Sequence, residues 1–286
     1  MKAYGEENVG NIVSLEHVNV QVPDQSLATL FYVVGLGLTR DPYLNVGLDN
    51  MWVNVGEQQF HLPTGPAQLI GGHIGLVMPD LESAEQRLGR VAERLNGTRF
   101  AWGRSRGYLE VTCPWGNHIR CYPSGEPAFG DIGLGLVYVE FRVARGVARA
   151  IGKFYEAVFG APSAMLEDVS GPAARVAIGR HQALIFRESD ALEPYDGHHV
   201  AVYVADFSRP YRFLSERGLV TEDVRNHQFR FQTLVEPSDG RSVFELEHEV
   251  RSLRHPMYGR RFVNRDPNQS QRNYRRGRDD LIPFRG

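Results

Sequence analysis

The sequence predicts an α+β fold made of four βαβββ modules in succession. Three observations lead there. Apolar and polar residues alternate with the period of a half-buried strand at several points, and each such strand runs into a segment with a helical apolar stripe. Landmarks of the first half also return in the second at a nearly constant offset.

The first module follows a short polar arm. From His17 the alternation puts His17, Asn19 and Gln21 on one face and Val18, Val20 and Val22 on the other. Pro23-Asp24-Gln25-Ser26 reads as a helix start, and Leu27, Leu30, Phe31 and Val34 give an apolar stripe that Gly35 and Gly37 end. Short strands are expected around 39–44, 51–55 and 58–62.

The second module leaves the Gly71-Gly72 turn with His73 entering a strand. Its helix is expected over 81–95 and its strands over 100–104 and 108–112. Pro114-Trp115-Gly116-Asn117 then makes a tight turn into a strand over 118–122. A Gly/Pro-rich connection over 123–135 is read as the domain boundary, after which the pattern restarts at Leu136. The expected organisation is an N-terminal domain over 1–128, a C-terminal domain over 129–250, and an arginine-rich C-terminal arm over 251–286.

Spacing supports the duplication. His17, Phe31-Tyr32 and Gly37 recur as Glu140, Phe154-Tyr155 and Gly160 at an offset of 123 residues; Gly116 recurs as Gly240 at 124, and His73 as His199 at 126. Inserted residues before His199 account for the drift.

Composition narrows the function classes. With 286 residues, 42% hydrophobic and 23% charged, the chain is long enough for two cores. No apolar run approaches the roughly 20 residues of a membrane span, and the first residues contain no signal-peptide apolar region; a cytoplasmic location is expected. The two cysteines, Cys113 and Cys121, lack CxxC spacing and suit inert burial in a reducing compartment. A net charge of -2 gives no reason to expect nucleic acid, so the expected partner is a small-molecule substrate.

Several stretches together resemble the vicinal oxygen chelate superfamily, the glyoxalase, bleomycin-resistance and extradiol-dioxygenase group. They are the strand openings Glu16-His17-Val18-Asn19-Val20 and Gly72-His73-Ile74-Gly75-Leu76, the helix signature Phe31-Tyr32 to Gly37 with its copy, and the closing turns Gly116-Asn117 and Asp239-Gly240. The resemblance spans roughly residues 10 to 250. It implies two glyoxalase-like domains with cupped mixed sheets, and a divalent metal in the cup bound from the first and last strands of each module.

The first-domain positions matching that pattern are His17, His61, His73 and Arg120. Three are imidazoles, which suit iron, zinc, manganese or nickel. Arg120 stands where the family usually has a glutamate; a guanidinium has no lone pair to donate, but it clamps a carboxylate or phosphate well. The second-domain matches are Glu140, His199 and either Glu245 or Glu247, with Glu245 preferred, while Phe186 falls where His61 would. One histidine and two carboxylates resemble the facial arrangement that binds ferrous iron.

Trp52, Phe60, Trp102, Tyr108 and Tyr122 are read as an aromatic wall for substrate, and Arg104 and Arg106 as anion binders. His198 should point away from His199. The tail suits an arm wrapping its own domain or a partner subunit, which leads to an expected homodimer.

The resemblance implies a metal-dependent extradiol-type dioxygenase acting on a small aromatic or vicinal-oxygen substrate. Fe(II) is favoured over Mn, Zn or Ni, and Glu140, His199 and Arg120 are the catalytic candidates. A glyoxalase-like isomerase or lyase and a metal-free binding protein are the alternatives.

Overall fold

The computed structural model describes residues 8–44, 47–267 and 270–273. Module 1 comprises β1 (Ile12–Asn19), α1 (Gln25–Ala28), β2 (Thr39–Arg40), β3 (Asn50–Val55) and β4 (Gln58–Pro63). Module 2 comprises β5 (His73–Met78), α2 (Leu81–Val91), β6 (Ala101–Ser105), β7 (Tyr108–Thr112) and β8 (His118–Pro123). Module 3 comprises β9 (Gly135–Val143), α3 (Ala148–Phe154), β10 (Ser163–Asp168), β11 (Gly171–Ala177) and β12 (Ala183–Glu188). Module 4 comprises β13 (His199–Val204), α4 (Ser208–Ser215), β14 (Val220–Val224), β15 (Gln228–Val235) and β16 (Ser242–Ser252).

The helices start where the sequence places their caps. Asp24 accepts hydrogen bonds from the amides of Ser26 and Leu27, and Asp80 does the same for Glu82 and Ser83. α1 then widens into a π-helical stretch, Thr29–Gly35, and α3 into its copy, Tyr155–Phe159. The extra residue per turn lets Leu30, Phe31 and Tyr32 all be buried in succession. α2 stops at Val91, short of the expected 95, and a 3₁₀ turn over Glu93–Leu95 follows.

The strands form two eight-stranded mixed sheets, ordered β14-β15-β16-β13-β1-β4-β3-β2 and β10-β11-β12-β9-β5-β8-β7-β6. Module 1 thus shares a sheet with module 4, and module 2 with module 3, whereas consecutive modules were expected to pair. The reason is local. The chain leaves β8 through a short connection that delivers β9 antiparallel to β5, with His73 opposite Glu140 and Ile74 opposite Val139.

Two compact units result. Residues 8–15, 141–195 and 199–258 make one; 16–140, 196–198 and the residues from 259 on make the other. The division passes through β1 and β9. It falls at Glu140/Phe141 rather than 128/129 because Gly135–Glu140 is bonded to β5.

Within the second unit β4 and β8 each have one apolar and one more polar face. On β8, Ile119 and Cys121 are fully buried, while His118, Arg120 and Tyr122 alternate with them. On β4, Phe60 and Leu62 enter the core and Gln59 and His61 face the other way.

The tail differs from the expected arm. β16 continues to Ser252, and the segment that packs on the second unit starts near Arg260. Asn264 bonds the amide and carbonyl of Gly56 at 2.9 and 2.8 Å, Asn54 donates to the Val263 carbonyl, and the Arg265 amide donates to Thr39 Oγ1. The arginine-rich run beyond Asn273 lies outside the described residues.

Candidate metal centre

β1 and β4 are parallel, with His17 opposite Gln59 and Asn19 opposite His61. Residues two apart on a strand share a face, so His17 and His61 lie on one face along a diagonal. Their rings meet edge-on at 5.5 Å, and their ligand atoms lie within 4.8 Å of each other. Trp52, opposite His61 on β3, stacks on His61 at 3.8 Å and meets His17 edge-on at 4.9 Å. The Glu16 carboxylate pairs with His17 Nδ1 and so sets the orientation of the ring.

The other unit repeats this register with different chemistry. β13 and β16 are parallel, and His199 stands opposite Glu247 as His17 stands opposite Gln59. The residue matching His61 is therefore Glu249, two beyond the partner. His199 Nδ1 lies 3.4 Å from Glu247 Oε1, and its Nε2 lies 3.9 Å from Glu249 Oε2. Arg230 binds Glu247 at 2.8 Å and Glu249 at 2.6 Å, and Arg251 also pairs with Glu249. Glu245, preferred from the sequence, is instead bonded to Gln232 and Thr233 at the far end of the hairpin.

The neighbouring histidines face elsewhere. His248 is fully buried, stacks on Phe231 at 4.6 Å, and accepts from the Tyr155 hydroxyl at 2.5 Å while its Nδ1 donates to the Leu246 carbonyl. Burial pushes its pKa down to about 4. His198 binds Asp196 at 2.7 Å.

On the second sheet the corresponding positions are His73 and Arg120. His73 pairs with His118, and Arg120 lies two beyond it, opposite Gly75. His73 Nδ1 is 3.4 Å from the Glu140 carboxylate. Arg120 sits over the Tyr108 ring at 5.3 Å, and Tyr108 and Tyr122 are 5.4 Å apart. Tyr138, opposite Gly75 on β9, shares a 2.9 Å hydrogen bond between its hydroxyl and that of Tyr122. Burial works against the Arg120 charge, but Tyr138, Tyr108, Tyr122 and Glu110 around it raise its pKa overall. A guanidinium cannot ligate, so this face fits a metal poorly and an anionic or aromatic group better. Phe186 lies in the core, stacked on Phe141 and tilted against Tyr155, so it supplies no ligand either.

Two expected substrate contacts lie apart from this cluster. Trp102 and Arg104 of β6 face α2, where Arg104 pairs with Glu85 at 2.6 Å and Trp102 lies 3.8 Å from the Cβ position of Gly89. Tyr138 and Glu249 are the site residues that sequence reasoning missed. The parallel register marks Glu249, and alternation with Glu140 marks Tyr138.

No family model and no curated protein sequence matches the chain. Solved structures do. Glyoxalase I from Zea mays aligns with a TM-score of 0.56 at 13% identity, covering 83% of this chain and 91% of that one. A Bacillus subtilis strain 168 protein provisionally named a dioxygenase aligns with a TM-score of 0.55 at 17% identity over 86% of each chain. The cppA protein from Streptococcus pneumoniae TIGR4 gives 0.50 at 11%, covering 86% of this chain and all of that one. The chain shares its four-module α+β fold with glyoxalase I.

Proposed function

We propose that this chain is a metal-dependent enzyme of the vicinal oxygen chelate type, with His17 and His61 as metal ligands in one unit and His199 and Glu249 as the matching candidate donors in the other. One observation carries the reading. Modules 1 and 4 both place a metal-capable side chain on their first strand and another two residues beyond its ladder partner, as His17 with His61 and His199 with Glu249. Module 2 breaks the pattern at Arg120, so we assign the face with His73 and Glu140 to metal-free binding.

When bound, the metal would chelate two adjacent substrate oxygens and act on them as a Lewis acid. The chain's own groups prepare for that. Glu16 fixes the His17 ring and its tautomer, and Trp52 fixes the plane of the His61 ring and shields it from water. Glu247 Oε1 lies beside His199 Nδ1 and helps orient that ring, while Arg230 keeps both carboxylates in position.

The imidazole and carboxylate donors would suit Fe(II), and we favour extradiol-type oxygen insertion on a small aromatic diol as the reaction. Glu249 is held by Arg230 and Arg251. A second reading, isomerase or lyase chemistry, has its own support: Glu249 lies 3.9 Å from His199 Nε2 and would add a carboxylate to the donors.

Elemental analysis after anaerobic purification tests the reading. The wild type should hold iron, manganese, zinc or nickel; His61→Ala and His199→Ala should each lower its metal content and His73→Ala should leave it unchanged. Oxygen uptake with catechols then separates the two reactions. A wild type that stays metal-free after reconstitution with each ion overturns the proposal.

A further inference from the structure

Apart from the metal-candidate residues, the unit containing modules 1 and 2 has a cavity of about 320 Å³ between the end of the first helix, α2 and the tail. Four arginines line it, Arg40, Arg87, Arg90 and Arg265, with Val34 and Leu38 among the apolar walls; none of its lining residues is acidic. Four cations around one small volume repel one another unless something negative sits among them.

Arg87 makes the case sharper. It is only 8% exposed. Its Nη2 donates to the Leu36 carbonyl at 3.2 Å, but Nε and Nη1 are buried with no hydrogen-bond partner among the described residues. Leaving charged donors unmet in a folded chain is costly, and native structures rarely do it without a ligand or water to receive them. The backbone makes room for this side chain: Gly37 has φ +77°, and a Cβ there would lie 2.6 Å from Arg87 Nε. Burial pushes the Arg87 pKa down, with Asp80 and Asp266 acting in the opposite sense without lining the cavity.

The tail completes the enclosure. Arg265 is brought to the cavity by its backbone bond to Thr39 and by the anchoring of Asn264 on Gly56.

We propose that this cavity binds a small phosphorylated metabolite, with the phosphate held by Arg87 and its three neighbouring arginines and the carbon body against Val34 and Leu38. A phosphate dianion matches several guanidiniums better than a single carboxylate does, and guanidinium geometry suits its oxygens. The volume is that of a small-ligand site.

Isothermal titration of the full chain with inorganic phosphate and with pyrophosphate, at low ionic strength and against matched chloride, tests this. One saturable site per chain is expected for the wild type. Arg265→Ala should weaken it by at least about tenfold, Arg90→Ala similarly, and Arg87→Met should abolish it. Should Arg87→Met fail to fold, the two exposed-side variants carry the test. Absence of saturable binding in the wild type, or wild-type affinity in both Arg265→Ala and Arg90→Ala, overturns the proposal.

Discussion

Arg260 grips Asp41 through both carboxylate oxygens, Nη2 to Oδ2 at 2.7 Å and Nη1 to Oδ1 at 3.3 Å, and Asp41 also accepts from Gln59 at 3.0 Å. Gln59 is the ladder partner of His17. The tail is therefore two hydrogen bonds from Gln59, the ladder neighbour of a proposed metal ligand.

Removing that grip should be expensive. Burial by itself raises the Asp41 pKa, but the Arg260 guanidinium and the amides of Tyr43 and Leu44 outweigh it and hold the carboxyl below its ordinary range. Arg260→Ala leaves a buried carboxylate without its cation, and a loss of roughly 2–4 kcal/mol is expected in chemical denaturation. A carboxyl with a depressed folded pKa contributes stability in full above its unfolded pKa of about 3.9 and loses it as pH falls through the lower folded value. Asp41→Asn should therefore flatten the wild type's decline below about pH 4.

Glu16 is expected to tune the metal rather than bind it. Glu16→Gln keeps the size of the side chain but weakens its hold on His17, and competition with a chelator should show metal affinity falling roughly 10–100-fold. Unchanged affinity would place Glu16 outside the metal's support.

Gly75 has no room for a methyl group, since a Cβ there would lie 2.3 Å from the Tyr138 ring. Gly75→Ala should cost roughly 1–3 kcal/mol through displacement of Tyr138. The same substitution made in Tyr138→Ala should cost much less, and the difference between the two measures the contact.

Cys121 is fully buried, and its thiol pKa is pushed up to about 12 by burial; Cys113 is raised for the same first cause. Neither carries a thiolate at pH 8. Thiol reagents should label the native chain hardly at all and both cysteines after denaturation, and rapid native labelling would contradict the burial.

The four modules were legible in the sequence because half-buried strands advertise their faces by alternation, and duplication repeats the landmarks. His17, His73 and His199 emerged that way, and His61 from the family resemblance. The partnering of modules did not, because a strand's pattern specifies which face is buried and not which neighbour lies beside its edge. Glu249 was hidden by β16, whose length separates the turn at Gly240 from the ligand position. Trp102 and Arg104 were misplaced because β6 has no fully buried residue, so its alternation assigns no face.

The bond from Arg260 to Asp41 spans 219 residues of sequence. During synthesis, module 1 is thus made long before the segment that clasps it, and 219 further residues must be added before Asp41 meets its cation. Contacts of such separation close late and slow the last stage of folding. A nascent or truncated chain lacking the tail would leave that carboxylate and the amide of Gly56 waiting for partners, a state that proteolysis and quality control can read as unfinished.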